Sequence, residues 1–233
     1  MADKWDELID WEKRRESEGG FFEKLLLDNG ASKVLDIACG TGYHAIQLAK
    51  SGLEVKATDG SEEMLEKTRM NAEKHDADIE IEKADWLNLT DVIEERYDAV
   101  VCLGNALTHL FHEDLYLRAI GEVYEVLNED GIFIVDQRNY DCILDKGYDS
   151  KHKYYYCGQE VEIEPVVVNE GMVKMQYMFS EDERYYLTMH PIRREELSGY
   201  LKETGFRRID IYGDFEEEFD KYDPDFIIQA AYK

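Results

Sequence analysis

The chain has 233 residues, with 53 acidic side chains against 27 basic ones and a formal net charge of −26. That length can bury one substantial core, and a hydrophobic content of 44% suits an ordinary globular protein. So acidic a surface repels phosphate backbones and argues against nucleic acid as a partner. The charged start MADKWDELID lacks the apolar middle of a signal peptide, and no uninterrupted apolar run approaches bilayer length, so a cytoplasmic protein with no membrane partner is expected. The charge fits two settings equally: a salt-rich cytoplasm, where the Debye length falls to about 3 Å at 1 M, or an acidic protein of no special habitat.

In chain order, residues 5–18 read as one amphipathic helix with Trp5, Leu8, Ile9 and Trp11 on its apolar side. Residues 33–38 read as a buried strand, 43–50 as a helix and 54–58 as a second strand. Ser61 caps a helix to about residue 74, with Glu62 and Glu63 in its first turn. Strands follow at 79–83 and 97–103, then a helix at 115–127 and a strand at 131–136. This alternation predicts a parallel sheet with right-handed crossovers.

The pattern then changes. Segments 160–168, 172–179 and 184–189 read as antiparallel strands separated by turn signals. A helix at about 193–204 ends at Gly205, and strands at 207–212 and 225–232 complete the chain. With no linker-like boundary, residues 1–233 are expected to form a single domain, and about 151–190 an insertion covering the sheet's ligand edge.

The four cysteines, Cys39, Cys102, Cys142 and Cys157, are widely spaced. They suggest a reducing compartment and no metal site.

The strongest constellation is Asp36-Ile37-Ala38-Cys39-Gly40-Thr41-Gly42, between a buried strand and a helix. Glycines there let the backbone turn tightly and approach a ligand. Asp59, after the second strand, is placed to accept ribose hydroxyls. Gly40-Thr41-Gly42-Tyr43-His44-Ala45 also fits the dinucleotide fingerprint. Three features favour S-adenosylmethionine instead. Asp36 can orient a cationic amino-acid moiety. Asp85-Trp86 can meet an adenine through a carboxylate and an indole face. No Tyr-x-x-x-Lys pair of a hydride-transfer enzyme is present.

These residues resemble class I methyltransferases, which implies a Rossmann-like α/β sheet. Val34 to Gly42, Ala84-Asp85-Trp86-Leu87, Cys102-Leu103-Gly104-Asn105 through His109-Leu110, Arg138-Asn139-Tyr140-Asp141, Gly213-Asp214-Phe215 and Tyr222 are similar to the glycine N-methyltransferase family over nearly the whole chain. The resemblance implies amine methylation of a small amino acid. It implies cofactor contacts from Trp5, Arg14 or Arg15, Asp36, Ala38, Gly40, Gly42, Asp59, Met64, Asp85, Trp86, Leu103 and His109. It also implies that the N-terminal segment closes over the site.

From position alone, Arg138 past the fifth strand suits a carboxylate clamp or an ion pair with an acid such as Asp141 equally; the resemblance implies the clamp. Of the 16 tyrosines, Tyr154, Tyr155, Tyr156, Tyr177, Tyr185 and Tyr186 fall in the insertion. The resemblance singles out Tyr177 and Tyr222 for the pocket, and Asn105 and His109 for the transfer centre. Asn105, Arg138 and Tyr177 are the expected catalytic set. His190 is a further substrate-binding candidate, because Met189-His190 stands where animal members carry tyrosines before the proline. The chain starts close to Trp5, without the longer arm tied to the animal tetramer, so a monomer or small homo-oligomer is expected. The acidic surface then suits the betaine-making branch. Other readings are an enzyme for dimethylglycine or another small amine, and a cofactor sensor without turnover.

Overall fold

Runs of β-branched residues bounded by glycine and acidic turns become the centre of a twisted sheet. The computed structural model describes residues 2–150 and 161–233. The strands are β1 (Lys33–Asp36), β2 (Glu54–Asp59), β3 (Glu80–Lys83), β4 (Tyr97–Cys102), β5 (Leu127–Arg138), β6 (Glu162–Asn169), β7 (Met172–Met178), β8 (Arg184–Met189), β9 (Arg208–Gly213) and β10 (Phe226–Tyr232). Seven form one sheet in the order β3-β2-β1-β4-β5-β10-β9, parallel through β5, with β10 antiparallel to both neighbours. The order reverses between β1 and β4, so a crevice opens at their carboxyl ends.

Both faces of this sheet are covered, so successive residues go alternately to two cores. Val100, Cys102, Phe133 and Val135 pack on one face with Tyr116, Ile120, Val123, Leu197 and Leu201. Ala99, Val101, Ile132 and Ile134 pack on the other with Phe22, Leu26, Ala45, Leu48 and Leu65. Each fully buried aliphatic or phenyl group contributes roughly 1.5–3 kcal/mol.

The helices are α1 (Ala2–Leu8), α2 (Trp11–Glu18), α3 (Phe21–Asp28), α4 (Tyr43–Lys50), α5 (Glu62–Lys74), α6 (Glu113–Val126), α7 (Tyr140–Lys146) and α8 (Arg194–Thr204). The single helix expected over 5–18 is two. The break falls at Ile9–Asp10, where Asp10 caps α2 by accepting from Lys13 N at 3.1 Å. Left-handed Gly19 and Gly20 then turn the chain into α3, an element the sequence pattern did not declare. Among the described residues, no helix is long and apolar enough to cross a membrane.

β6, β7 and β8 form a separate antiparallel sheet. Its inner face joins Leu8, Tyr140, Ile143 and Phe226 in a third apolar cluster through Val173, Met175, Tyr177 and Met189. It is fixed to the main body by His190 N donating to Thr108 O at 2.8 Å.

Candidate active site

The turn from β1 into α4 places two left-handed glycines, Gly40 at φ +56° and Gly42 at φ +93°. A Cβ at Gly40 would lie 3.9 Å from the Trp5 indole nitrogen, inside a cavity of about 430 Å3. Trp5, Arg14, Ala38, Gly40, Asp59, Met64, Asp85, Trp86, Leu103 and His109 line that cavity, with Ile9, Gly104 and Leu187. Gly42 stands off it. A Cβ there would meet Thr68 Cγ2 at 2.9 Å, so this glycine seats α4 against α5 instead of facing a ligand.

Asp59 and Asp85 line the cavity, with further acids buried near it. Asp36 lies buried behind the wall and accepts from Ala38 N at 3.1 Å. Burial, with the Asp59 charge adding, pushes its carboxyl up to about 7 despite that bond and Arg14. Asp59 accepts from Gly40 N at 3.0 Å and Ser61 N at 2.9 Å, which ties the glycine turn to the start of α5. Burial raises its pKa as well. Asp136 on β5 is fully buried, accepts from Asn105 N at 2.7 Å, and is also raised by burial. The sequence pattern did not flag it; only its place near the end of β5 could have. Asp85 is exposed and accepts from Leu87 N at 2.8 Å beside half-buried Trp86. Acids at this wall suit a ligand bearing a sulfonium and an ammonium.

Of the two candidate arginines, the structure turns Arg14 inward and Arg15 outward. Arg14 is 3% exposed and reaches the cavity. Arg15 bonds Glu23 at 3.2 Å and Gln47 on the surface, so the expected cofactor contact from Arg15 does not match its placement.

His109 opens onto the cavity, and its Nδ1 lies 3.2 Å from Thr188 O. A carbonyl only accepts, so Nδ1 carries the proton and Nε2 its lone pair. The surrounding protein desolvates the ring and lowers its pKa.

Arg138 ends β5 and lines a second cavity of about 460 Å3 with Tyr148, Tyr222 and Asp225. Its guanidinium carbon lies 5.4 Å from the Phe226 ring centre and 5.8 Å from that of Tyr148. Asp141, the rival partner, is taken by Arg193 at 3.3 Å, Lys221 at 3.1 Å and Arg194 N at 3.1 Å.

Asn105 ties the turn beside the first cavity to the strand end beside the second. Its neighbours Gly104 and Ala106 line the first, and its Oδ1 accepts from Arg138 N at 2.9 Å beside the second. Its Nδ2 donates to Tyr140 Oη at 3.0 Å. Asn105 itself borders neither cavity, so the amide is placed to hold the strand ends.

Tyr177 is buried in the apolar cluster that contains Tyr140 and Phe226. Tyr222 is half-exposed and donates to Asp145 at 3.0 Å. Tyr185 donates to Glu183 at 3.1 Å and Tyr186 to Gln176 at 2.8 Å, bonds within and beside the β6–β8 sheet. His190 departs from its expected place: its Nδ1 lies 3.3 Å from Tyr116 Oη, away from both cavities. Tyr154, Tyr155, Tyr156 and Cys157 lie outside the described residues.

Comparison with known proteins agrees with this geometry. The family model for a methyltransferase domain matches residues 34–131. A glycine/sarcosine N-methyltransferase of Aphanothece halophytica is 48% identical over all of this chain and 88% of its own length. Its counterpart in Halorhodospira halochloris is 46% identical over all of this chain and 87% of its own. An S-adenosylmethionine-dependent methyltransferase of Clostridium acetobutylicum shares the fold, with a TM-score of 0.75 at 20% identity over 93% of this chain and 91% of its own. With a cavity that suits a nucleoside sulfonium and relatives this similar end to end, the chain belongs to the glycine/sarcosine N-methyltransferase family.

Proposed function

We propose that the protein methylates the amine of glycine to give sarcosine, and that of sarcosine to give dimethylglycine, with S-adenosylmethionine as donor. The observation that carries the substrate is Arg138. It stands at the end of β5, and its backbone N donates to Asn105, whose neighbours Gly104 and Ala106 line the cofactor cavity. A guanidinium fork grips a carboxylate bidentately.

Bound in the first cavity, the donor supplies an electrophilic methyl group. In this reading Asp59 and Asp85 accept from ribose and adenine, Trp86 packs on the base, and Arg14 meets the amino-acid carboxylate; their shared lining of the first cavity supports it. Asp36 favours the ammonium. Arg138 anchors the substrate carboxylate, and Asn105 holds the Arg138 strand end in register with the Gly104 turn. Tyr177 and the lid sheet exclude water and keep the amine lone pair in line with the methyl group, which is most of what this reaction asks of a protein. One catalytic unit, as a monomer or small homo-oligomer, suffices for these roles. The acidic surface supports a place in making a betaine osmolyte in a salt-rich cytoplasm.

Arg138→Ala is expected to raise the KM for glycine about 100-fold, as loss of a charge-assisted bidentate contact does, with cofactor affinity changed less than about twofold. An unchanged KM would remove Arg138 from the substrate site.

A further inference from the structure

Arg14 is held by Glu18 on its own helix and by the Tyr43 ring of α4, with His44 beside it. The Arg14 Nε donates to Glu18 Oε1 at 2.7 Å, one helical turn along α2. Its Nη2 lies 3.2 Å from His44 Nε2, in the first turn of α4. Its guanidinium carbon stands 4.8 Å from the centre of the Tyr43 ring. Glu18 is itself well engaged: His44 Nε2 donates to its Oε1 at 3.0 Å, so that nitrogen does not accept from Arg14, and Oε2 accepts from Tyr43 Oη at 3.2 Å. The residues are almost wholly enclosed, with Arg14 3%, Glu18 5% and His44 8% exposed.

Burying an ion pair this completely is a poor way to gain stability, because apolar groups of the same volume do as well or better. It is an effective way to fix a cation. Although burial acts to raise it, the carboxyl of Glu18 is brought down to about 2 by His44 and Arg14, so it remains an acceptor. With Nε occupied and one face on Tyr43, the guanidinium has a single orientation at the cavity wall. We infer that Glu18, with His44, is a positioning residue that aims Arg14 at the carboxylate end of the donor. Glu18 thereby sets how strongly the site prefers ligands carrying the amino-acid moiety. The inference rests on the assignment of the first cavity to S-adenosylmethionine.

The test compares two ligands by calorimetry: S-adenosylhomocysteine, which has the amino-acid carboxylate, and 5′-methylthioadenosine, which lacks it. Glu18→Gln keeps the shape and removes the charge. It is expected to weaken S-adenosylhomocysteine about tenfold, as loss of a charged hydrogen bond does, and to leave 5′-methylthioadenosine within about twofold. Glu18→Asp is expected to restore part of the difference. Equal weakening of both ligands would show a merely structural role, and no weakening of either would show no role; both overturn the proposal. Arg14→Ala run beside it separates the two ideas. If Arg14→Ala leaves the ligand preference unchanged, the assignment of Arg14 fails, whatever Glu18 does. If Glu18→Gln does not fold, His44→Gln carries the same comparison and the same two overturning outcomes.

Discussion

At the scale of single residues, several charges in and beside the site are withdrawn from water, among them Asp36, Asp136 and Arg14. Asp36 shows the consequence. Its pKa is raised by burial to about 7, above the ordinary carboxylate value of about 3.9. A proton therefore sits on Asp36 in the folded protein at mildly acidic pH, where an unfolded chain has lost it. The sign follows: this group detracts from stability as pH climbs from about 4 to about 7. A ligand ammonium favours the ionised form, so cofactor affinity is expected to rise with pH and level off above about 7. Asp36→Asn is expected to flatten that rise and to weaken binding. S-adenosylhomocysteine affinity measured between pH 5.5 and 8 checks it, and a wild-type profile flat below 7 would contradict it.

Residues are also where the sequence was least legible. Arg14 and Arg15 are adjacent and chemically equal, and only the start of α2 at the Asp10 cap decides which one turns inward. Glu18 reads as a surface charge in a chain where 34% of residues are charged; its one signal was the four-residue spacing from Arg14. His190 looked like a pocket residue because of its place before Pro191. The bond of its backbone N–H to Thr108 O and the approach of its ring to Tyr116 Oη leave it outside the lining of both cavities.

At the scale of elements, α4 and the strands β1, β2 and β4 lie within a residue or two of their sequence-derived bounds. Apolar runs buried on both faces leave little choice of register. The short α3 was missed because two glycines precede it and its eight residues show barely two turns of pattern. The contact of α4 with α5 gives an element-scale prediction. Gly42→Ala puts a Cβ 2.9 Å from Thr68 Cγ2 at a left-handed φ of +93°. It is expected to cost at least about 1–2 kcal/mol from the backbone alone, read as a lower denaturant midpoint with an unchanged slope. Gly52→Ala, equally left-handed but with nothing within 4 Å of the added carbon, should cost less. Equal costs would rule out the packing account of Gly42.

At the scale of the whole molecule, the sheet order puts the glycine turn, Asp59, Asp85 and Asn105 at the carboxyl ends of β1 to β4, and it ends β5 on Arg138. This convergence could be read from the β-α alternation alone. What alternation could not show is that Asn105 ties the Gly104 turn to the end of β5, because that depends on its side-chain bonds to Tyr140 and Arg138. The net charge of −26 acts at this scale too. Self-repulsion that salt screens predicts a melting temperature that climbs with KCl toward 1 M. A melting temperature flat in KCl would count against a salt-rich setting.

The proposed function is transfer of a methyl group to a small amino acid held by Arg138. The direct measurement is incubation of the protein with methyl-labelled S-adenosylmethionine and, separately, glycine, sarcosine or dimethylglycine, with the labelled products separated. Label is expected in sarcosine and dimethylglycine when glycine is supplied, and in dimethylglycine when sarcosine is. Absence of label from the products of all three amines would contradict it.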